Sequence, residues 1–276
     1  MSAIHIVLIV EGSMFRKLGQ YMKKGAGALA ALALGASLSG CAYMNNWGEV
    51  DGVPLADLDM SGDAPTQITL AGPDKVMIAE GDVLTITLEG NEAAGEALRF
   101  DRDGSRLTIA RDSKIYDGSS PAIVRMTLPA PSGLAIAGSG RIESASMAST
   151  AEIEIAGSGA ISVERIEAER LDIEIAGSGD VMAAGTATVL SIEIAGSGDV
   201  QLAQLTADDV SVEIAGSGDV TLASNGKVNA EIAGSGDVVV VGSATCTVST
   251  AGSGSLTCRP GPEAASAGDS EVVAAD

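Results

Sequence analysis

The tetrapeptide A-G-S-G occurs seven times, starting at Ala137, Ala156, Ala176, Ala195, Ala215, Ala233 and Ala251, at spacings of 19, 20, 19, 20, 18 and 18 residues. A period this short, held over many copies, builds a solenoid in which each repeat buries its apolar side only by stacking on its neighbours. It is too short for paired helices, and apolar residues alternate within each repeat as they do along a strand. Counted from the first glycine of the motif, the residue two before it is Ile136, Ile155, Ile175, Ile194, Ile214 or Ile232 in the first six copies, and Thr250 in the last. The residue four after it runs Ile142, Ile161, Val181, Val200, Val220, Val238 and Leu256. Stacked strands would turn these positions into aliphatic columns, and seven coils spaced at about 4.8 Å would make a rod of roughly 34 Å.

Other features of the sequence agree with a narrow β interior. Aromatic residues are 2% of the chain and none follows Tyr116, so the core must be filled by Val, Ile, Leu and Ala. No proline lies between Pro131 and Pro260, which leaves a strand ladder uninterrupted. The G-S-G is the expected corner, since glycine accepts a tight bend. Such a loop could also cradle a phosphate on its backbone amides. Here no helix and no lysine follow it, and acids flank it, so architecture is the better reading.

Charge excludes several functions. The chain has 16 Lys and Arg against 37 Asp and Glu, a net −21. Residues 1–40 hold four of the bases and one acid, leaving 12 bases and 36 acids beyond them. A surface this acidic repels phosphate and disfavours nucleic-acid partners. The sole histidine is His5, so the body of the chain has no Ser-His-Asp or Cys-His catalysis and no histidine metal site.

Residues 22–41 read as an export signal: Met22-Lys23-Lys24, an apolar run from Gly25 to Leu38, then Ser39-Gly40-Cys41. Leu38-Ser39-Gly40-Cys41 resembles a bacterial lipobox. That resemblance implies cleavage before Cys41, lipidation of its thiol and a membrane anchor. Ala42, rather than Asp, follows the cysteine, which points to the outer membrane. The sequence thus divides into a lipoprotein signal peptide at 1–40 (true start Met14 or Met22), a lipidated tether at 41–63, an amino-terminal β cap at 64–133, the repeat solenoid at 134–259 and a disordered acidic tail at 260–276.

Two carboxylate columns face outward. Glu154, Glu174, Glu193, Glu213 and Glu231 lie three residues before the corner glycine, and Asp180, Asp199, Asp219 and Asp237 three after it. Like charges about 4.8 Å apart repel by roughly 1 kcal/mol per neighbour in water. One reading is a solvated face that keeps strands soluble. The other is divalent cation binding between rungs, with calcium as the only cofactor the sequence suggests. G-S-G-D-V is similar to a calcium-binding β-roll repeat, but that repeat has a nine-residue period with glycine-rich turns in both halves of a coil.

Cys246 and Cys258 fall six residues before and six after Gly252. Both occupy inward columns, and after export a disulfide between them would clamp the last coil. A redox-active pair and two separate buried thiols are the alternatives.

Upstream of the repeats, strands are expected at 67–70, 75–78, 83–88, 106–110 and 123–128, with turns at Gly72-Pro73, Glu80-Gly81-Asp82 and Asp103-Gly104. Asp101-Arg102-Asp103 reads as a charged turn. The segments Gly72-Pro73 to Glu80-Gly81-Asp82, Asp103-Gly104-Ser105-Arg106-Leu107 and Met126-Thr127-Leu128-Pro129-Ala130-Pro131, followed by the A-G-S-G repeats, resemble the auto-transporter adhesin head GIN domain family over roughly residues 60–258. The Cys246–Cys258 ending is similar to proteobacterial members. The family implies an exported β-solenoid and supplies no catalytic residue.

The expected fold is all-β, a right-handed parallel β-solenoid of about seven coils with an amino-terminal β cap. The expected role is non-enzymatic: an outer-membrane, lipid-anchored envelope protein serving adhesion or scaffolding, with a protein or glycan partner. A periplasmic ligand- or cation-binding sensor is the alternative. A polysaccharide-active enzyme is the third, disfavoured because no rung stands out as a site and no aromatic residue on the repeats could stack a sugar.

Overall fold

A computed structural model of the chain describes residues 52–90, 92–112 and 121–261. The signal peptide, Cys41 and residues 262–276 of the tail lie outside the described residues. Sixteen strands follow in order: β1 Gln67–Ala71, β2 Lys75–Glu80, β3 Thr85–Glu89, β4 Leu98–Asp103, β5 Arg106–Arg111, β6 Ile123–Leu128, β7 Gly133–Gly138, β8 Arg141–Met147, β9 Thr150–Gly157, β10 Ala160–Gly177, β11 Asp180–Gly196, β12 Asp199–Gly216, β13 Val220–Gly234, β14 Asp237–Val241, β15 Thr245–Gly252 and β16 Ser255–Arg259. One short helix, α1 (Glu92–Glu96), separates β3 from β4.

The fold is a β-solenoid of about seven turns. From β7 onward each coil pairs in parallel with the next, and like positions match: Ile153 opposes Ile173, Ile173 opposes Ile192, and Ile192 opposes Val212. The aliphatic columns are closed to water, with Ile155, Ile175, Ile194 and Ile214 each 2% exposed. Within a coil the alternation breaks at two further places. In β10 these are the consecutive exposed pairs Glu164-Arg165 and Glu169-Arg170; in β12 they are Ala203-Gln204 and Asp208-Asp209. Two outward residues in succession cannot lie on one flat strand, so the chain bends there, and the ladder register shifts at Val163/Ile166 and Leu202/Thr206. The repeat spacing varies because residues are gained or lost at these bends, while the glycine corner stays constant.

The corner itself is fixed by stacking. Gly216 has φ +142°, and a Cβ built on it would sit 1.9 Å from the carbonyl oxygen of Gly196 one coil below. That oxygen accepts the N–H of Ser217 at 2.8 Å. The same bond recurs from Ser178 to Gly157, Ser197 to Gly177 and Ser235 to Gly216. A ladder this close leaves no room for a side chain.

The part before the repeats continues the stack out of sequence order. β1 lies between β5 and β7, parallel to both, and β2 lies between β6 and β8, parallel to both. Ala71 matches Ala137, and Lys75 matches Arg141. Ala71-Gly72-Pro73-Asp74 is therefore a corner equivalent to A-G-S-G, hidden in the sequence by a separation of 66 residues. β3 pairs antiparallel with β6, and β4 antiparallel with β5. Asp101-Arg102-Asp103 is not a turn but the end of β4, and the turn follows at Gly104-Ser105. Residues 52–63, read from the sequence as the end of a tether, lie against this end of the stack. Val53 bridges Phe100, and Arg102 donates to the carbonyls of Asp59 at 3.1 Å, Ser61 at 2.9 Å and Asp63.

Candidate functional surface

The two carboxylate columns form as the spacing requires. Glu154, Glu174, Glu193, Glu213 and Glu231 oppose one another in successive strands. Their immediate cause is alternation: each lies between two inward aliphatic residues and must point out. Glu154, Glu174, Glu193 and Glu213 are half-buried by the rungs on either side, and Glu231 is exposed. Burial raises the Glu174 carboxyl from its ordinary 4.5 to about 7, and the neighbouring charges of Glu193, Glu154, Glu152 and Asp172 push the same way. Glu154 is also raised, first by burial and then by Glu152.

A raised folded-state value means the native chain binds this proton more tightly than the unfolded chain does. The associated stability is complete below about pH 4.5 and is lost as pH rises through about 7. Glu174→Gln should therefore be more stable than the parent at pH 8 and equal to it at about pH 3.5, below the ordinary carboxyl value. Water screens a half-exposed group, so the gain at pH 8 is on the order of 1 kcal/mol. Paired thermal melts at the two pH values check it; equal melting temperatures at both would show that the column carries no strain.

The aspartate column has a different use. Asp199 Oδ1 accepts the backbone N–H of Asp219 at 3.2 Å, Asp219 Oδ1 that of Asp237 at 2.9 Å, and Asp237 Oδ1 that of Ser255 at 3.0 Å. Ser255 Oγ adds a second bond to Asp237 at 2.7 Å. Each carboxylate thus fastens the start of the next coil's strand beside the glycine corner. Among the described residues no three His, Cys, Asp or Glu side chains converge on a point where a cation would sit.

Cys246 and Cys258 are joined, with Cα atoms 6.7 Å apart. The bond ties β15 to β16 across the last corner. Closing a loop this short limits the unfolded chain by about 2–3 kcal/mol.

Two features were not foreseen from sequence. The first is a buried ion pair. Asp74 is 1% exposed and Arg111 8%; Arg111 Nε donates to Asp74 Oδ2 at 2.7 Å and its Nη2 to Oδ1 at 2.5 Å. Asp74 Oδ1 also accepts the N–H of Ala122 at 2.7 Å. Asp74 stands where the repeats have their second corner glycine, so a turn position conceals a structural clamp. The second is an open groove of about 510 Å³ over β2, β3, β6 and β8, lined by Met77, Thr85, Arg125, Thr127, Glu143 and Glu164 among others. Arg125 is paired with Glu89 at 2.7 Å and Glu143 with Lys75 at 2.8 Å. The groove offers apolar, hydroxyl and paired charged groups.

No helix among the described residues is long and apolar enough to cross a membrane. Comparison with known proteins agrees with the geometry. The sequence model of the family described as "Putative auto-transporter adhesin, head GIN domain" matches residues 64–244, stopping one residue short of β15 and its cysteine. Solved structures share the fold. A putative adhesin from Bacteroides fragilis matches at TM-score 0.64 and 18% identity, over 71% of this chain and 93% of its own. A putative lipid binding protein from Parabacteroides distasonis matches at TM-score 0.56 and 22% identity, over 71% and 93%. A putative adhesin from the same species matches at 0.54 and 18%, over 73% and 94%. None of the curated proteins matches the sequence.

Proposed function

Because the chain belongs to the auto-transporter adhesin head GIN domain family, we propose that it is an envelope protein, anchored by lipid on Cys41 in the outer membrane, that serves adhesion or scaffolding through the sides of its solenoid. The observation that carries this reading is the uniformity of the rod. Successive coils repeat the same glutamate and aspartate columns beside the same corner, which suits a long, shallow contact with a protein or glycan rather than a reaction at one point. The strongly acidic surface disfavours nucleic acid and anionic lipid headgroups as partners.

The open groove favours a second reading, binding of a small ligand, and one structural neighbour is named as a putative lipid binding protein. That groove mixes Met77 with Arg125 and Glu143, so an amphiphile would suit it better than a purely apolar molecule.

Exposure on intact cells tests the adhesive role. A membrane-impermeant amine reagent should label the exposed Lys227 on intact cells as strongly as on lysed ones. Labelling that appears only after the outer membrane is broken would place the rod in the periplasm and defeat adhesion, leaving scaffolding or ligand binding.

A further inference from the structure

The two ends of the stack differ. At the β4 end, residues 52–63 lie over the last strand, through the Val53–Phe100 bridge and the Arg102 contacts. At the β15–β16 end, among the described residues, nothing packs above the final coil. Val248 is 45% exposed there, and Cys246 and Leu256 are only partly buried, whereas Ala230, Ile232, Val238 and Val240 one coil below are at most 2% exposed.

The final coil also abandons the charge pattern. Ser249 stands in register with Glu231, and Ser255 with Asp237, so both carboxylate columns end in serine. No charged residue occurs from Val238 to Cys258 in a chain of net charge −21. Exposed edge strands are ordinarily blunted by charge. Here β15, with Thr245, Thr247, Val248 and Thr250, is β-branched, uncharged and held to β16 by the disulfide. This coil lies beyond the region matched by the family.

We propose that this edge is the docking surface for a second copy of the chain, joined end to end with β15 antiparallel to β15 of its partner. Charge selects this occupant. Two such acidic chains repel everywhere except through a neutral surface, and the absence of carboxylates on the last rung removes the repulsion that continued columns would create. A two-fold contact is self-complementary and closes, so the assembly stops at a dimer. The sequence after Gly261 does not repeat the A-G-S-G corner. Ala267-Gly268 comes 16 residues after Ala251, and Ser270 stands where a second corner glycine is needed. At Gly254 a Cβ would already sit 2.4 Å from the Gly236 oxygen.

Sedimentation of the exported chain, disulfide intact, tests this. The parent should sediment as a dimer at micromolar concentration. Ser249→Glu with Ser255→Asp, which extends both columns, should weaken the dimer by roughly tenfold or more; Thr247→Lys should act in the same direction, each with the parent's circular dichroism spectrum. Ser197→Asp, on a corner in mid-rod, should remain dimeric. A monomeric parent overturns the proposal, and so does a dimer indifferent to the edge substitutions. If the parent is monomeric and the chain ending at Gly261 dimerises, the tail covers the edge, which overturns it as well.

Discussion

Gly216→Ala should lower the free energy of unfolding by about 3–5 kcal/mol, while Ser217→Ala, one residue on, should change it by less than about 0.5 kcal/mol. The new methyl group would lie 1.9 Å from the Gly196 oxygen, at a backbone φ of +142°. Strain at such a dihedral costs about 1–3 kcal/mol. Forcing the coils apart adds a similar amount through overpacking and loosens the Ser217 to Gly196 hydrogen bond of 2.8 Å. The serine side chain is exposed and bears none of this. The same loss should recur at Gly196 and Gly234, whose added Cβ atoms would meet the oxygens below at 2.1 and 2.0 Å. Because each coil is stabilised by its neighbours, a fault in the middle should also separate the unfolding of the two halves. Denaturant unfolding followed by circular dichroism measures both effects. A parental midpoint for Gly216→Ala would mean that stacking does not dictate the corner.

The repeats were legible because one constraint recurs seven times. A glycine at every corner, an aliphatic residue at most inward positions and an acid at fixed outward positions in most copies leave a strong period in the sequence. The other two bends of each coil were not legible. They need only two adjacent outward residues, such as Glu164-Arg165, and that pattern has no particular composition. The Ala71–Asp74 corner was hidden for a different reason: the chain leaves the stack after β2, forms β3 to β6, and returns to β7, so register relates residues far apart. β4 was read as a charged turn at Asp101-Arg102-Asp103 because its outward residues are ionic, although Leu98 and Phe100 are each 1% exposed. The aspartate column was seen, but not its use. A bond from Asp219 Oδ1 to the backbone of Asp237 depends on rung spacing, which sequence alone does not supply.

Asp74→Ala should cost about 3–5 kcal/mol, as expected for removal of one partner from a buried ion pair. Asp74 and Arg111 are 37 residues apart, and their side chains are 0% and 5% exposed. Removing the carboxylate takes two hydrogen bonds and a counter-charge from the buried Arg111 guanidinium and deprives the Ala122 N–H of its acceptor. Replacing both partners, Asp74→Ala with Arg111→Met, removes the buried charge but not the unsatisfied amide. It should therefore recover about 2 kcal/mol of the loss and leave about 1–3 kcal/mol. The shortfall from full recovery separates the two roles of Asp74: partner to a cation, and acceptor for the strand that follows. Chemical unfolding of the two variants and the parent gives both terms. A double variant no better than Asp74→Ala would assign the whole effect to the amide. The ion pair would then be incidental to how β5 and β6 are held beneath the β1–β2 corner.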